Sequence, residues 1–223
     1  MLRRLATLAL SLSLATTAFT STADARSFAQ APVAAGAPRN IQADEAEMPR
    51  ISAAARVKLR KVLASRRAKN VAAFRAYANR GVYPHNYTTP DALNVWIDQE
   101  GRMCAAATMI FKSGYKKLVR QTAKDNNFIK LGDVTDGAVM DWMLTSGLTQ
   151  SEIATIQEPF MGRMQPVEPE PGGPDWRIAE DARLRARYAD VLVQLRDNRD
   201  AGLDAAIDAL AWRPDLVAKL IKA

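Results

Sequence analysis

The 223-residue chain contains one cysteine, Cys104, and one histidine, His85. A lone thiol closes no internal disulfide, so the fold must be held by its own core. One Cys and one His also fall short of a zinc ligand set unless several carboxylates join them. Aromatic residues make up only 7% of the chain and long β-branched runs are missing, while Ala, Leu, Arg and Met, which lose little on entering a helix, are abundant. Beyond residue 25 no stretch approaches 18 consecutive apolar residues, so no transmembrane segment is expected there. No Gly-rich phosphate loop of the Walker or dinucleotide type occurs. Aligning Gly101 with the glycine of a calcium loop puts Trp96 and Ala107 at the first and last ligand positions, and aligning Gly137 puts Gly132 and Met143 there, where oxygen donors are required. No metal and no cofactor is implied.

One further absence is local. Residues 50–80 carry ten Lys or Arg and no acid, whereas residues 81–160 have seven basic against nine acidic and residues 161–223 ten against eleven. The formal net charge of +7 therefore reflects one basic arm attached to two nearly neutral segments.

Residues 1–25 read as a cleavable secretory signal peptide. Arg3 and Arg4 supply the charged start, residues 5–14 an apolar run too short to cross a bilayer, and Ala23-Asp24-Ala25 a small-x-small cleavage site before Arg26. The expected location is periplasmic or extracellular, and the absence of Cys at the cleavage site argues against a lipid anchor there. Residues 26–49, rich in Ala, Pro and Gly without periodicity, read as a disordered tether.

Ser52 and Gly81 frame an amphipathic basic helix over residues 50–80, roughly seven turns long. Ala55, Leu59, Val62, Leu63, Phe74 and Tyr77 share one stripe, and Lys58, Arg60, Lys61, Arg67, Lys69 and Arg75 spread over the other faces as a candidate anion-binding set. Residues 81–160 form an expected helical core with at most one short β element, at residues 94–98, followed by a turn through Gly101. Helices are expected over residues 103–111 and 115–125, broken by Ser113-Gly114. Thr135 can cap a helix through Leu144 that ends at Gly147, and Thr149-Gln-Ser-Glu152 is a capping box before a helix halted by Pro159. Trp96, Trp142, Met103, Met109, Met140 and Met143 mark the main core, with any pocket expected near the His85 loop and residues 94–101. Residues 161–174 are a Pro-rich linker, and residues 175–223 a C-terminal three-helix region with helices at 175–197, 203–212 and from Pro214. The expected fold class is mainly α, an irregular helical domain.

Four constellations bear on chemistry. Cys104, placed in the first turn of its helix, would have a lowered thiol pKa, and His85 could serve as its base with Asn86, Asp91 or Asn94 orienting the ring. Against this cysteine hydrolase or transferase stands the apolar run Ala105-Ala-Ala107, which suits a buried, inert sulfur. Ser113-Gly-Tyr-Lys116 has the S-x-x-K spacing of serine acyl enzymes, but no S-D-N or K-T-G element accompanies it. Residues 135–158 resemble a DNA-binding helix-turn-helix in outline, yet Met143 occupies the position where helices must cross closely, Gln150 and Glu152 stand where cations would read DNA, and an exported protein does not meet the chromosome. The basic arm would attract phospholipid headgroups, lipopolysaccharide, acidic glycans or extracellular nucleic acid. Alternatively its stripe packs on the rest of the protein and its cations are solvated or paired with C-terminal acids, as Phe74, Tyr77 and the interrupting Arg66 suggest. The reading that results is a non-enzymatic envelope protein engaging an anionic or protein partner.

Overall fold

Ser52 does cap the first helix, its side chain accepting from the Ala55 N–H, and Gly81 ends it in the left-handed conformation at φ 65°. Between them runs α1, Ala53–Arg80. The computed structural model describes residues 50–162 and 175–222, which belong to the unit Ala46–Ala223. The readings of residues 1–25 and 26–49, and of the Pro-rich stretch from 163 to 174, fall outside the described residues. After α1 come α2 (Ala105–Lys112), α3 (Lys116–Asp125), a 3-10 turn (Leu131–Asp133), α4 (Gly137–Thr145), α5 (Gln150–Ile156), α6 (Trp176–Asp197), α7 (Arg199–Leu210) and α8 (Pro214–Lys222). The protein is mainly α, and the described residues form no sheet.

The expected β element exists only as isolated bridges, Ile97 with Met103 and Leu93 with Phe160. Its backbone is satisfied by an asparagine in place of a neighbouring strand: the Ile97 N–H donates to Asn127 Oδ1 at 3.0 Å, and Asn127 Nδ2 donates to the Ile97 carbonyl at 2.9 Å. Asp98, buried, then gathers the turn by accepting from the Glu100 and Arg102 N–H groups and from Arg102 Nε at 2.6 Å.

Helix α1 is shared by two apolar clusters. Its N-terminal half, through Leu59 and Leu63, packs with Leu203, Ile207 and Leu210 of α7 and Leu216 and Leu220 of α8. Its C-terminal half, through Phe74 and Tyr77, joins Trp96, Met109, Ile110, Trp142, Met143 and the α6 residues Leu184, Tyr188 and Val191. The three C-terminal helices therefore do not make a subdomain of their own. Helix α6 completes the large core, while α7 and α8 close the small one, because α6 offers its aromatic Tyr188 edge-on to Phe74 at 5.4 Å and to Tyr77 at 5.6 Å.

Some boundaries differ from expectation. Helix α4 begins after Asp136 rather than Thr135 and has no side-chain cap bond. Asn198 both ends α6 and starts α7, so α7 begins at Arg199 and Trp212 lies beyond it, exposed. The capping box of α5 is present in full.

The buried face of α1 is Leu59, Leu63, Arg67, Asn70, Phe74, Tyr77 and Ala78, a helical stripe that includes two polar residues. Arg67 is a correction: expected on a solvated face, it is 3% exposed. Its guanidinium grips the Glu152 carboxylate with two bonds of 2.7 and 2.6 Å and also donates to the Gly147 carbonyl at 3.2 Å and the Leu195 carbonyl at 3.0 Å. Glu152 is the capping-box glutamate of α5 and accepts from the Thr149 N–H at 2.8 Å as well. Gly147 (φ 82°) passes so close to α1 that a Cβ there would lie 2.8 Å from Arg67 N and against the Leu63 carbonyl.

Breaking a buried pair strands a charge, so Arg67→Met is expected to destabilise the fold by about 3–5 kcal/mol. Arg60→Gln, which removes a half-exposed surface cation, should cost at most about 1 kcal/mol. Gly147→Ala, strained in conformation and short of space, should lose more than about 1 kcal/mol. Urea unfolding midpoints at neutral pH measure all three, and an Arg67→Met loss no larger than that of Arg60→Gln would contradict this account.

Candidate functional site

Cys104 is the N-cap of α2 rather than a residue of its first turn, and its sulfur accepts from the Ala107 N–H at 3.4 Å. It is buried. Burial pushes the thiol up to about 12, outweighing the helix N–H groups that pull it down. Of the two readings of Cys104, the low-pKa thiolate is therefore set aside and the buried, inert sulfur that the run Ala105-Ala-Ala107 suggested is the one that agrees with the structure. Burial above all, with Cys104 a lesser cause, also raises Tyr77 and Tyr188 beside it.

His85 is buried too, but its partners lie elsewhere. Its backbone N–H donates to Asp98 Oδ2 at 3.1 Å, its Nε2 lies 3.2 Å from Asp181 Oδ1 on α6, and its ring meets Tyr87 and Trp176 edge-on. No hydrogen bond joins it to Cys104 among the described residues. Of the proposed orienters, Asn86 does other work: its Nδ2 donates to the Asp91 carbonyl at 2.7 Å, and its Oδ1 accepts from the Thr88 and Thr89 N–H groups. Asp181, 96 residues from His85, had no local signal in the sequence. A cleft does open beside this loop, lined by Tyr87, Thr89, Pro90, Trp176 and Arg177, but no residue of 94–101 lines it. Ser113 Oγ lies 2.8 Å from the Met109 carbonyl and 3.1 Å from Asn70 Oδ1, while Lys116 sits over the Phe111 ring at 5.3 Å, so the S-x-x-K spacing yields no Ser–Lys contact. Among the described residues no group of three or more His, Cys, Asp or Glu is placed to hold a metal.

The cations of α1 divide three ways. Arg67 is internal. Arg56 pairs with Asp208, and Arg60 with Asp204 and, at 3.1 Å, with Asp200, so the acids of α7 and the small core draw in the N-terminal part of the helix. Lys58, Lys61, Lys69 and Arg75 are exposed and form no ion pair among the described residues. Of the six candidate anion-binding residues, the fold brings Lys69 to a concave surface.

That surface is a hollow of about 270 Å³ between α1, the α2–α3 connection and the C-terminal end of α4. Arg66 and Lys69 of α1 and Lys112 of α2 line it, with Ala73, Tyr115 and Trp142 as apolar wall. No carboxylate lines it, and Asp141, the one acid of α4, is engaged by Arg213 at 2.8 Å. Its floor is fixed. Asn70 Nδ2 donates to the Ser146 carbonyl at 2.9 Å, and Arg66 Nη1 donates to the Thr145 carbonyl at 3.1 Å, which holds the guanidinium at the rim. Three cations in a concave, partly apolar site without counter-charge concentrate positive potential there. Arg66 and Lys112 were not among the expected site residues, yet Arg66, Lys69, Asn70 and Ala73 follow the i, i+3, i+4, i+7 spacing of a single helix stripe.

Comparison with known proteins found no matching family model, no similar curated protein and no similar solved structure.

A buried thiol raised from 9.0 to about 12 binds its proton more tightly in the folded state than in the unfolded chain. Its contribution is therefore full below pH 9 and lost as pH rises from 9 toward 12, up to about 4 kcal/mol in total. Urea midpoints should fall across this range less steeply in Cys104→Ser than in the parent, and iodoacetamide should modify Cys104 at neutral pH only after unfolding. Rapid labelling of the folded protein would show that the thiol is reactive.

Proposed function

We propose that the protein is an exported, non-enzymatic binding protein that engages an anionic partner through the basic hollow of α1, α2 and α4. The observation that carries this reading is the convergence of Arg66, Lys69 and Lys112 on one concavity without a carboxylate in its lining. The exposed cations Lys58, Lys61 and Arg75 extend the favourable field and raise the encounter rate with polyanions. The charged start, short apolar run and small-x-small site of residues 1–25 support delivery to the periplasm or the exterior, where phospholipid headgroups, lipopolysaccharide and acidic glycans are the available polyanions. Acid pairing of Arg56 and Arg60 and burial of Arg67 take three of the ten cations of residues 50–80 out of the binding surface. The cysteine enzyme draws no support from a sulfur that is buried, protonated and hydrogen-bonded to a backbone amide.

The full chain is expected to bind heparin-like resin and anionic vesicles and to elute at progressively lower yield of complex as salt shortens the Debye length from about 10 Å at 0.1 M to about 3 Å at 1 M. Lys69→Gln combined with Lys112→Gln should lower the eluting salt concentration, while Arg60→Gln, whose cation is already compensated, should leave it nearly unchanged. Retention that ignores salt, or no retention at all, would overturn the proposal.

A further inference from the structure

Resting on the reading of the hollow as an anion site, we infer that its ligand is a phosphate monoester with a small organic remainder. Three features set the class. Size comes first: about 270 Å³ falls just below the ~300–1,000 Å³ of pockets that enclose drug-sized molecules, so the hollow suits a headgroup-sized moiety. Charge comes second. Arg66, Lys69 and Lys112 present three cations, and no acid in the lining offsets them. A carboxylate or a sulfate monoester brings a single negative charge, whereas a phosphate monoester carries about −1.5 to −2 at pH 7 and three acceptor oxygens, one for each cation.

The third feature is the way the donors are held. Arg66 is tethered through Nη1 to the Thr145 carbonyl, which leaves the other edge of its guanidinium to a ligand oxygen in the charge-assisted geometry that this group favours. Lys69 stands one turn further along the same stripe and Lys112 lies at the end of α2, so the three cationic residues that line the hollow come from two elements. The apolar wall of Ala73, Tyr115 and Trp142 gives the organic remainder a surface while the phosphate faces the cations. The lining contains no histidine and no carboxylate, so any change of affinity between pH 5 and pH 7.5 has to come from the ligand, whose second ionisation lies near pH ~6.

Calorimetric titration of the full chain with methyl phosphate and methyl sulfate, which share shape and differ in charge, tests the inference. At pH 7.5 methyl phosphate is expected to bind at least about tenfold more tightly than methyl sulfate, and this advantage should vanish at pH 5. Lys69→Gln or Lys112→Gln should each weaken methyl phosphate by about tenfold or more, the usual worth of a hydrogen bond to a charged group. Vesicles containing phosphatidic acid, a monoester, should then compete with methyl phosphate if the source is a lipid, and fail to do so if it is a soluble metabolite; either result supports the class. Equal affinity for the two methyl esters, a pH-independent affinity, or indifference to both lysine substitutions would overturn it. Retention on heparin-like resin separates the two levels of failure: if it survives, anion binding stands without monoester recognition, and if it is absent as well, both readings fall.

Discussion

The helices come together around a buried ion pair. Arg67 of α1 and Glu152 of α5 join through two short bonds, and the same guanidinium holds the carbonyls that end α4 and lie near the end of α6. Removing both charges from water is expensive, and Coulomb attraction offsets that cost only when geometry is good and the remaining donors find partners. Here they do, on carbonyls from two further elements. The pair then constrains the backbone around it: Gly147 and Gly202 must lack side chains, since a Cβ at Gly202 would lie 2.7 Å from Glu152 Oε1. Helix α7 can close over the pair only because of that second glycine. A charged group inside the molecule thus stands where five helices meet.

The distribution of charge on α1 follows from this constraint. Once Arg67 points inward, the buried stripe is fixed, and with it the orientation of every other cation on the helix. Arg56 and Arg60 then face α7, which answers with Asp200, Asp204 and Asp208. These outer pairs are exposed and screened, so they guide the fit of α7 more than they stabilise it. Arg66 and Lys69 turn toward α4, where no acid meets them. The uniform basic arm of the sequence is therefore three environments in space, and only one of them keeps both its charge and a concave shape.

Much of the helical pattern was legible because it rests on local chemistry. Ser52, Gly81, the Thr149–Glu152 capping box and Asp175 act on backbone groups within one turn, and each stands where its sequence context indicated. The core was legible as well, through Trp96, Met109, Trp142 and Met143. Arg67 was not, because an arginine on a helix reads as solvated unless its partner is known, and Glu152 lies 85 residues away. Asp181 escaped for the same reason in relation to His85. Cys104 sits between competing effects of opposite sign: the helix amides lower its pKa and burial raises it, and the run Ala105-Ala-Ala107 already pointed to the burial that wins. The hollow was half visible, in the spacing of Arg66, Lys69, Asn70 and Ala73, but Lys112 joins it from another helix.

The turn at Ser146-Gly147 links the two sites. Gly147 gives its carbonyl to Arg67, while the preceding Ser146 gives its own to Asn70 at 2.9 Å and uses its hydroxyl to accept from the Leu148 N–H at 3.0 Å. Asn70 and Arg67 are neighbours on the buried stripe of α1, so the interaction that anchors the fold and the one that sets the floor of the hollow share one turn of one helix. The rim is tied to the same place, since Arg66 holds the carbonyl of Thr145. In such a place Arg66 is preorganised: it is positioned by a bond to the backbone of the same turn, and an anion would gain its charge without having to order it. The buried pair lies one residue along α1 from Arg66 and two from Lys69, so the segment that carries these cations to the hollow is the one the core holds most firmly.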